Sequence, residues 1–132
     1  MQDQHIKRKK AKGVGIFLPD YGTYSGKTLQ GQLPELKGAA REATLIRKTV
    51  HGRLLGGKLA EENNFKNKAG RFRILHIAAH SFLDDRNPLL SYLVMSAPED
   101  TADDGRLHAF EIMQMKLNAQ LVVLSGCNTG YG

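Results

Sequence analysis

Three shortages set the first limits on this 132-residue chain: one cysteine, no apolar run of bilayer length, and no charged side chain between Ala119 and Gly132. A single thiol cannot close an intrachain disulfide, which excludes a disulfide-stapled scaffold and fits a reducing cytosol. Without a bilayer-length run, no membrane-spanning helix is expected. The basic start is followed by no apolar core segment, so no secretory leader is expected either, and the chain reads as cytoplasmic. One Cys with scattered His lacks the paired spacing of a zinc site, and neither a metal nor a cofactor is expected.

What is present is ordinary globular material for one domain at most. The hydrophobic fraction is 41% and the charged fraction 24%, which argues against disorder throughout. The net charge is +6, and much of it lies in Lys7, Arg8, Lys9, Lys10 and Lys12. Residues 1–12 read as a basic linker into a domain spanning 13–132. A nucleic-acid surface is the sharper alternative, but no aromatic is interleaved for base stacking. Gly26-Lys27-Thr28 imitates the end of a phosphate loop, yet Gly22 stands four residues before Gly26 rather than five, so no nucleotide site is read there. The acidic stretch 100–105 lacks the alternating ligands and closing Glu of a calcium loop.

Apolar periodicity gives the coarse elements. Residues 14–18 read as a buried strand closed by Pro19. Ala39, Ala43, Ile46 and Val50 recur on one face of a helix near 36–50, which His51 and Gly52 end. A short strand is expected near 53–57 and a weaker helix near 59–69. A strand near 72–79 leads to a loop and a hairpin strand at Tyr92 to Met95. A third helix is expected near 107–117, with His108 and Glu111 placed as a capping box. His76 lies inside its apolar run and reads as a buried, hydrogen-bonded residue. Asp84, Asp85 and Arg86 read as a solvated turn, with a carboxylate orienting His80 as the sharper alternative.

Two stretches share one design. Leu121 to Leu124 is an unbroken apolar run suited to a strand buried on both faces, and it stops at Ser125, Gly126 and Cys127. The run beginning at Ile74 stops likewise at His80. Open α/β folds bind ligands at the carboxyl ends of their strands. If the two strands are neighbours, about 5 Å apart, His80 and Cys127 end side by side.

These stretches carry a family pattern. Ile74-Leu-His-Ile-Ala-Ala-His80, Asn87-Pro88 with Ser91, Asp104-Gly105-Arg106-Leu107, Glu111-Ile112 and Leu121-Val-Val-Leu-Ser-Gly-Cys-Asn-Thr-Gly130 together resemble a CHAT domain. The resemblance is strongest over 71–132. It reaches back to Leu33-Pro34-x-Leu36-x-x-Ala39-x-x-Glu42, which is similar to the family's first helix. Ser81 stands where the family often has Gly. Gly126 and Asn128 stand where it usually has Ala and Glu.

The resemblance implies an α/β, caspase-like three-layer fold with a mostly parallel sheet in the order second, first, third, fourth. It implies a cysteine peptidase related to separase and the gingipains, acting on protein or peptide substrates, often downstream of TPR repeats. Its catalytic dyad would be His80 and Cys127. Backbone N–H groups at Ser81 and Cys127 would hold the oxyanion. The other class kept open is an inactive caspase-like interaction module. Because five residues follow Cys127, the C-terminal part of the domain is expected to be missing, leaving the fragment poorly active and its last strand at an open sheet edge.

Overall fold

The computed structural model describes residues 10–21, 28–98 and 104–126. In chain order, β1 (Val14–Leu18) precedes α1 (Lys37–Val50), β2 (Arg53–Gly56), α2 (Glu62–Lys68) and β3 (Ile74–Ala78). Then come β4 (Ser81–Phe82), β5 (Tyr92–Val94), β6 (Arg106–His108), α3 (Ala109–Gln114) and β7 (Leu121–Ser125).

Strands β1, β2, β3 and β7 form one all-parallel sheet in the order β2-β1-β3-β7. This is the expected order, and the mixed α/β architecture agrees with a caspase-like fold. The register sets Val14 beside Ile74, Ile74 beside Leu121 and Ala78 beside Ser125. Alternation then sorts the side chains. Phe17, Leu75 and Ile77 point to a core closed by Phe65 and Ala69. Phe17 meets Phe65 edge-on at 4.7 Å and Phe72 at 6.2 Å. Gly15 makes room for this packing, since a Cβ there would lie 2.5 Å from the Phe72 ring. His76 points to the opposite face, toward α1. There Ala43 is fully buried. α1 ends at His51, whose backbone is left-handed at φ 53°, in the usual manner of a helix C-terminus.

Several sequence expectations need correction. No helix spans 107–117. Arg106–His108 is instead a strand antiparallel to β5, completing a three-stranded sheet β4-β5-β6, and the helix that follows has six residues. The expected capping box is present, with Glu111 Oε1 accepting from the His108 N–H at 3.1 Å. The box starts the helix at Ala109, one residue after the cap, so residues before it were free to pair. The helix near 59–69 divides into a 3-10 turn at Gly57–Ala60, then α2, then a further 3-10 turn at Ala69–Arg71. Val50, placed on the buried face of α1, is half-exposed. β7, read as buried on both faces, has Leu121 to Leu124 at 37–53% exposure. It is the sheet's outer strand among the described residues, which agrees with the open edge expected for it.

A charged cluster joins α2 to α3. Lys66 Nζ reaches Glu62 Oε2 at 2.6 Å and also pairs with Glu111. Glu62 is buried, and its other oxygen, Oε1, has no hydrogen-bond partner. Burial pushes the Glu62 carboxyl up to about 7, helped by the Glu111 carboxylate and opposed by Lys66. Burial would raise Glu111 too, but hydrogen bonds from Lys66 and from the His108 N–H outweigh it and hold Glu111 at about 2.

The sign follows from proton uptake. Folded Glu62 holds its proton more tightly than an unfolded carboxyl of ordinary value 4.5. That stabilisation is complete below the ordinary value and is lost as pH rises through about 7. Glu111 acts oppositely, losing its contribution only as pH falls toward 2. Glu62→Gln mimics the protonated acid, so its melting temperature relative to wild type should climb between roughly pH 5 and pH 8. Thermal denaturation at both values checks this, and parallel pH dependences would rule it out.

Candidate active site

The site grows from the carboxyl ends of β3 and β7. Beyond the last ladder pair, Ala79 N–H donates to Ser125 O at 3.1 Å, so the two chains remain side by side as they leave the sheet. His80 is the next residue on the β3 side, and it is 2% exposed.

Three segments fix this histidine. Its N–H donates to the Tyr21 hydroxyl at 2.9 Å, and its carbonyl accepts from Val94 N–H at 2.8 Å. Its ring meets the Tyr21 ring edge-on at 4.6 Å. Its Nε2 lies 2.6 Å from the Pro34 carbonyl oxygen. A carbonyl can only accept, so Nε2 is the nitrogen that carries the proton. In the neutral imidazole, Nδ1 then holds the lone pair, the arrangement a general base requires.

Tyr21 is 1% exposed, and its hydroxyl also donates to Val94 O at 2.6 Å. Burial raises its phenol above the ordinary tyrosine value, with the hydrogen bond from His80 acting the other way. The hydroxyl therefore stays protonated at physiological pH.

On the β7 side, Ser125 Oγ donates to Glu42 Oε1 at 3.0 Å and lies 3.2 Å from His76 Nε2. His76 is buried and hydrogen-bonded as expected. Gly126 follows with φ 81°. A Cβ at Gly126 would lie 2.8 Å from Leu36 Cδ1 and 3.0 Å from Ala79 O. Both the left-handed backbone and this close approach favour glycine here.

Of the expected site residues, the described residues include His80 and Ser81. Ser81 opens β4 opposite Leu93 and is buried. Cys127, the expected nucleophile, lies outside the described residues, as do the loop 22–27 and most of the acidic stretch 100–105. Asp84 behaves as a turn residue, its Oδ1 accepting from the N–H groups of Arg86 at 3.0 Å and Asn87 at 2.8 Å. Sequence reasoning missed Tyr21 and Pro34 as partners of His80. A backbone carbonyl has no side-chain signature, and Tyr21 stands in a polar loop that gave no sign of burial.

A cavity of about 270 Å³ adjoins the histidine's supports, with Tyr21 and Leu36 in its wall beside Asp20, Glu35, Lys37 and Arg41. Among the described residues, no group of three His, Cys, Asp or Glu is placed to hold a metal ion, and no helix is long and apolar enough to cross a membrane.

The family model of the CHAT domain matches residues 2–132. The chain belongs to the CHAT domain family. Neither a curated protein nor a solved structure matches it. As a CHAT domain it is of a caspase-like peptidase kind. The matched span takes in the basic start, from which Lys12 N–H donates to Arg71 O at 3.0 Å.

Tyr21→Phe keeps the ring against His80 but leaves the His80 N–H and the Val94 carbonyl without that hydroxyl. Two buried groups lose a partner, so a loss of about 1–3 kcal/mol is expected in chemical denaturation. Wild-type stability would mean that water replaces the hydroxyl.

Proposed function

We propose that this CHAT domain is a cysteine endopeptidase acting through His80 and Cys127. The observation that carries the reading is the His80 Nε2 hydrogen bond to the Pro34 carbonyl. It puts the proton on Nε2 and leaves Nδ1 as the basic nitrogen, inside a site where the ring is held by Tyr21. Cys127 is the residue after Gly126 in sequence, and Gly126 sits against Ala79, the residue before His80.

The chemistry needs both groups. A free thiol is only a few per cent ionised near neutral pH, and the thiolate is the nucleophile. His80 takes the thiol proton as sulfur attacks the scissile carbonyl carbon. Backbone N–H groups at Ser81 and Cys127 hold the developing oxyanion. The imidazolium returns its proton to the leaving amine as the C–N bond breaks. Water, deprotonated by the same imidazole, then attacks the thioester and releases the acid and the thiol. No cofactor enters. The substrate is a protein or peptide, and the domain works in the cytoplasm as part of a larger TPR-containing protein. The basic start serves as a linker rather than a nucleic-acid surface.

In the full-length protein, Cys127→Ala and His80→Ala should each abolish peptide cleavage. In the wild type, Cys127 should be alkylated faster than a free thiol, and His80→Ala should remove the advantage. Wild-type cleavage by Cys127→Ala would end the peptidase reading. A thiol with ordinary, His80-independent reactivity would instead favour an inactive interaction module.

A further inference from the structure

Three residues from separate stretches of chain meet at one oxygen. Glu42 comes from α1, His76 from the middle of β3, and Ser125 from the end of β7. Ser125 Oγ donates to Glu42 Oε1 at 3.0 Å, and His76 Nε2 lies 3.3 Å from the same oxygen and 3.2 Å from Ser125 Oγ. A carboxylate only accepts, and the serine proton is already directed at it. His76 Nε2 is therefore a donor into the same pair of oxygens. The knot ties a helix to two strands at the sheet edge where His80 lies.

Its weight follows from the place of β7 as the outer strand of the sheet among the described residues. Leu121 to Leu124 are 37–53% exposed, so the strand is only partly packed. One side of the strand carries the ladder to β3. The Ser125 hydroxyl is the side-chain anchor at the strand's end, and Cys127 follows two residues later. The Glu42 side chain is 51% exposed. An ordinary exposed ion pair would stabilise the fold little. Here the carboxylate turns inward to take two donors, one of them from a buried imidazole.

We propose that Glu42, His76 and Ser125 form a positioning lock: they fix the end of β7 against α1 and β3, and the reactivity of Cys127, two residues further on in sequence, depends on that lock. The proposal rests on the peptidase reading of that pair. None of the three is a catalytic residue, because His76 lies four residues before His80 and spends its Nε2 on the lock.

The test is the pH profile of Cys127 alkylation by iodoacetamide in the full-length protein. Wild type, Ser125→Ala, Ser125→Thr, Glu42→Ala and His80→Ala are compared, with melting temperatures recorded for each. Ser125→Ala and Glu42→Ala should each slow alkylation at neutral pH by about 3–10-fold, the worth of one hydrogen bond. Their profiles should also move toward that of a free thiol. Ser125→Thr keeps the hydroxyl and should restore the wild-type profile. A contact that serves stability alone would lower the melting temperature and leave the profile of the folded protein where it was. That result in Ser125→Ala and Glu42→Ala, with alkylation still dependent on His80, overturns the lock and leaves the dyad standing. A wild-type profile in His80→Ala overturns both. If Ser125→Ala fails to fold, Glu42→Ala, altered at a half-exposed position, decides the question.

Discussion

The parallel ladder between β3 and β7 joins two stretches that are far apart in sequence, and the placing of Ser125 at the sheet edge follows from it. The ladder sets Ala78 beside Ser125, and the Ala79 N–H continues it to the Ser125 carbonyl. A slip of one residue would reverse the face of each β7 side chain. Ser125 would turn away from His76 and Glu42, and Val122 and Leu124 would leave the hollow they share with Leu75 and Ile77. The register is thus specified from both faces, by polar contacts on one and apolar contacts on the other.

Around that ladder, the fold treats its histidines differently according to depth. His76 lies within the strand and spends its ring on a serine and a carboxylate. His80 lies just beyond the strand, where a tyrosine hydroxyl takes its backbone N–H and a proline carbonyl takes its ring N–H. The first arrangement holds three elements together. The second fixes the orientation and tautomer of one ring. Both are buried to the same degree, so burial alone does not distinguish them; the identity of the acceptors does. His108 is a third case, with its N–H and ring committed to Glu111 at a helix start.

The parts of this architecture that are written in apolar patterning were readable before the structure. β1, α1, β3 and β7 each carry a run or a stripe of apolar residues, and the strand order followed from resemblance to a family. What was not readable has physical causes. β6 is three residues long, and its apolar content, Leu107 alone, is too small to signal a strand. The helix after it was overextended because Phe110, Met113 and Leu117 keep a helical spacing past Gln114, whereas the chain turns extended at Met115. β7 reads as doubly buried because Val and Leu runs usually are, and no local feature of the run reports how much of its surroundings will cover it. At the site, His80 was visible as the end of an apolar run. The Pro34 carbonyl that sets its tautomer was not, because every residue has a carbonyl. Glu42 looked like one more exposed charge on a helix.

The one-sided pairing of β7 has a kinetic meaning. In a parallel strand, successive N–H groups point alternately to the two sides. Among the described residues, β7 has β3 on one side, so about half of its amides enter the ladder. The strand can therefore be peeled from the sheet by breaking the hydrogen bonds of one ladder and uncovering side chains that are already 37–53% exposed. Local opening of this kind costs less than global unfolding. Opening of β7 would carry Ser125 away from both His76 and Glu42, so the contacts at the strand's end last only as long as the ladder that holds it.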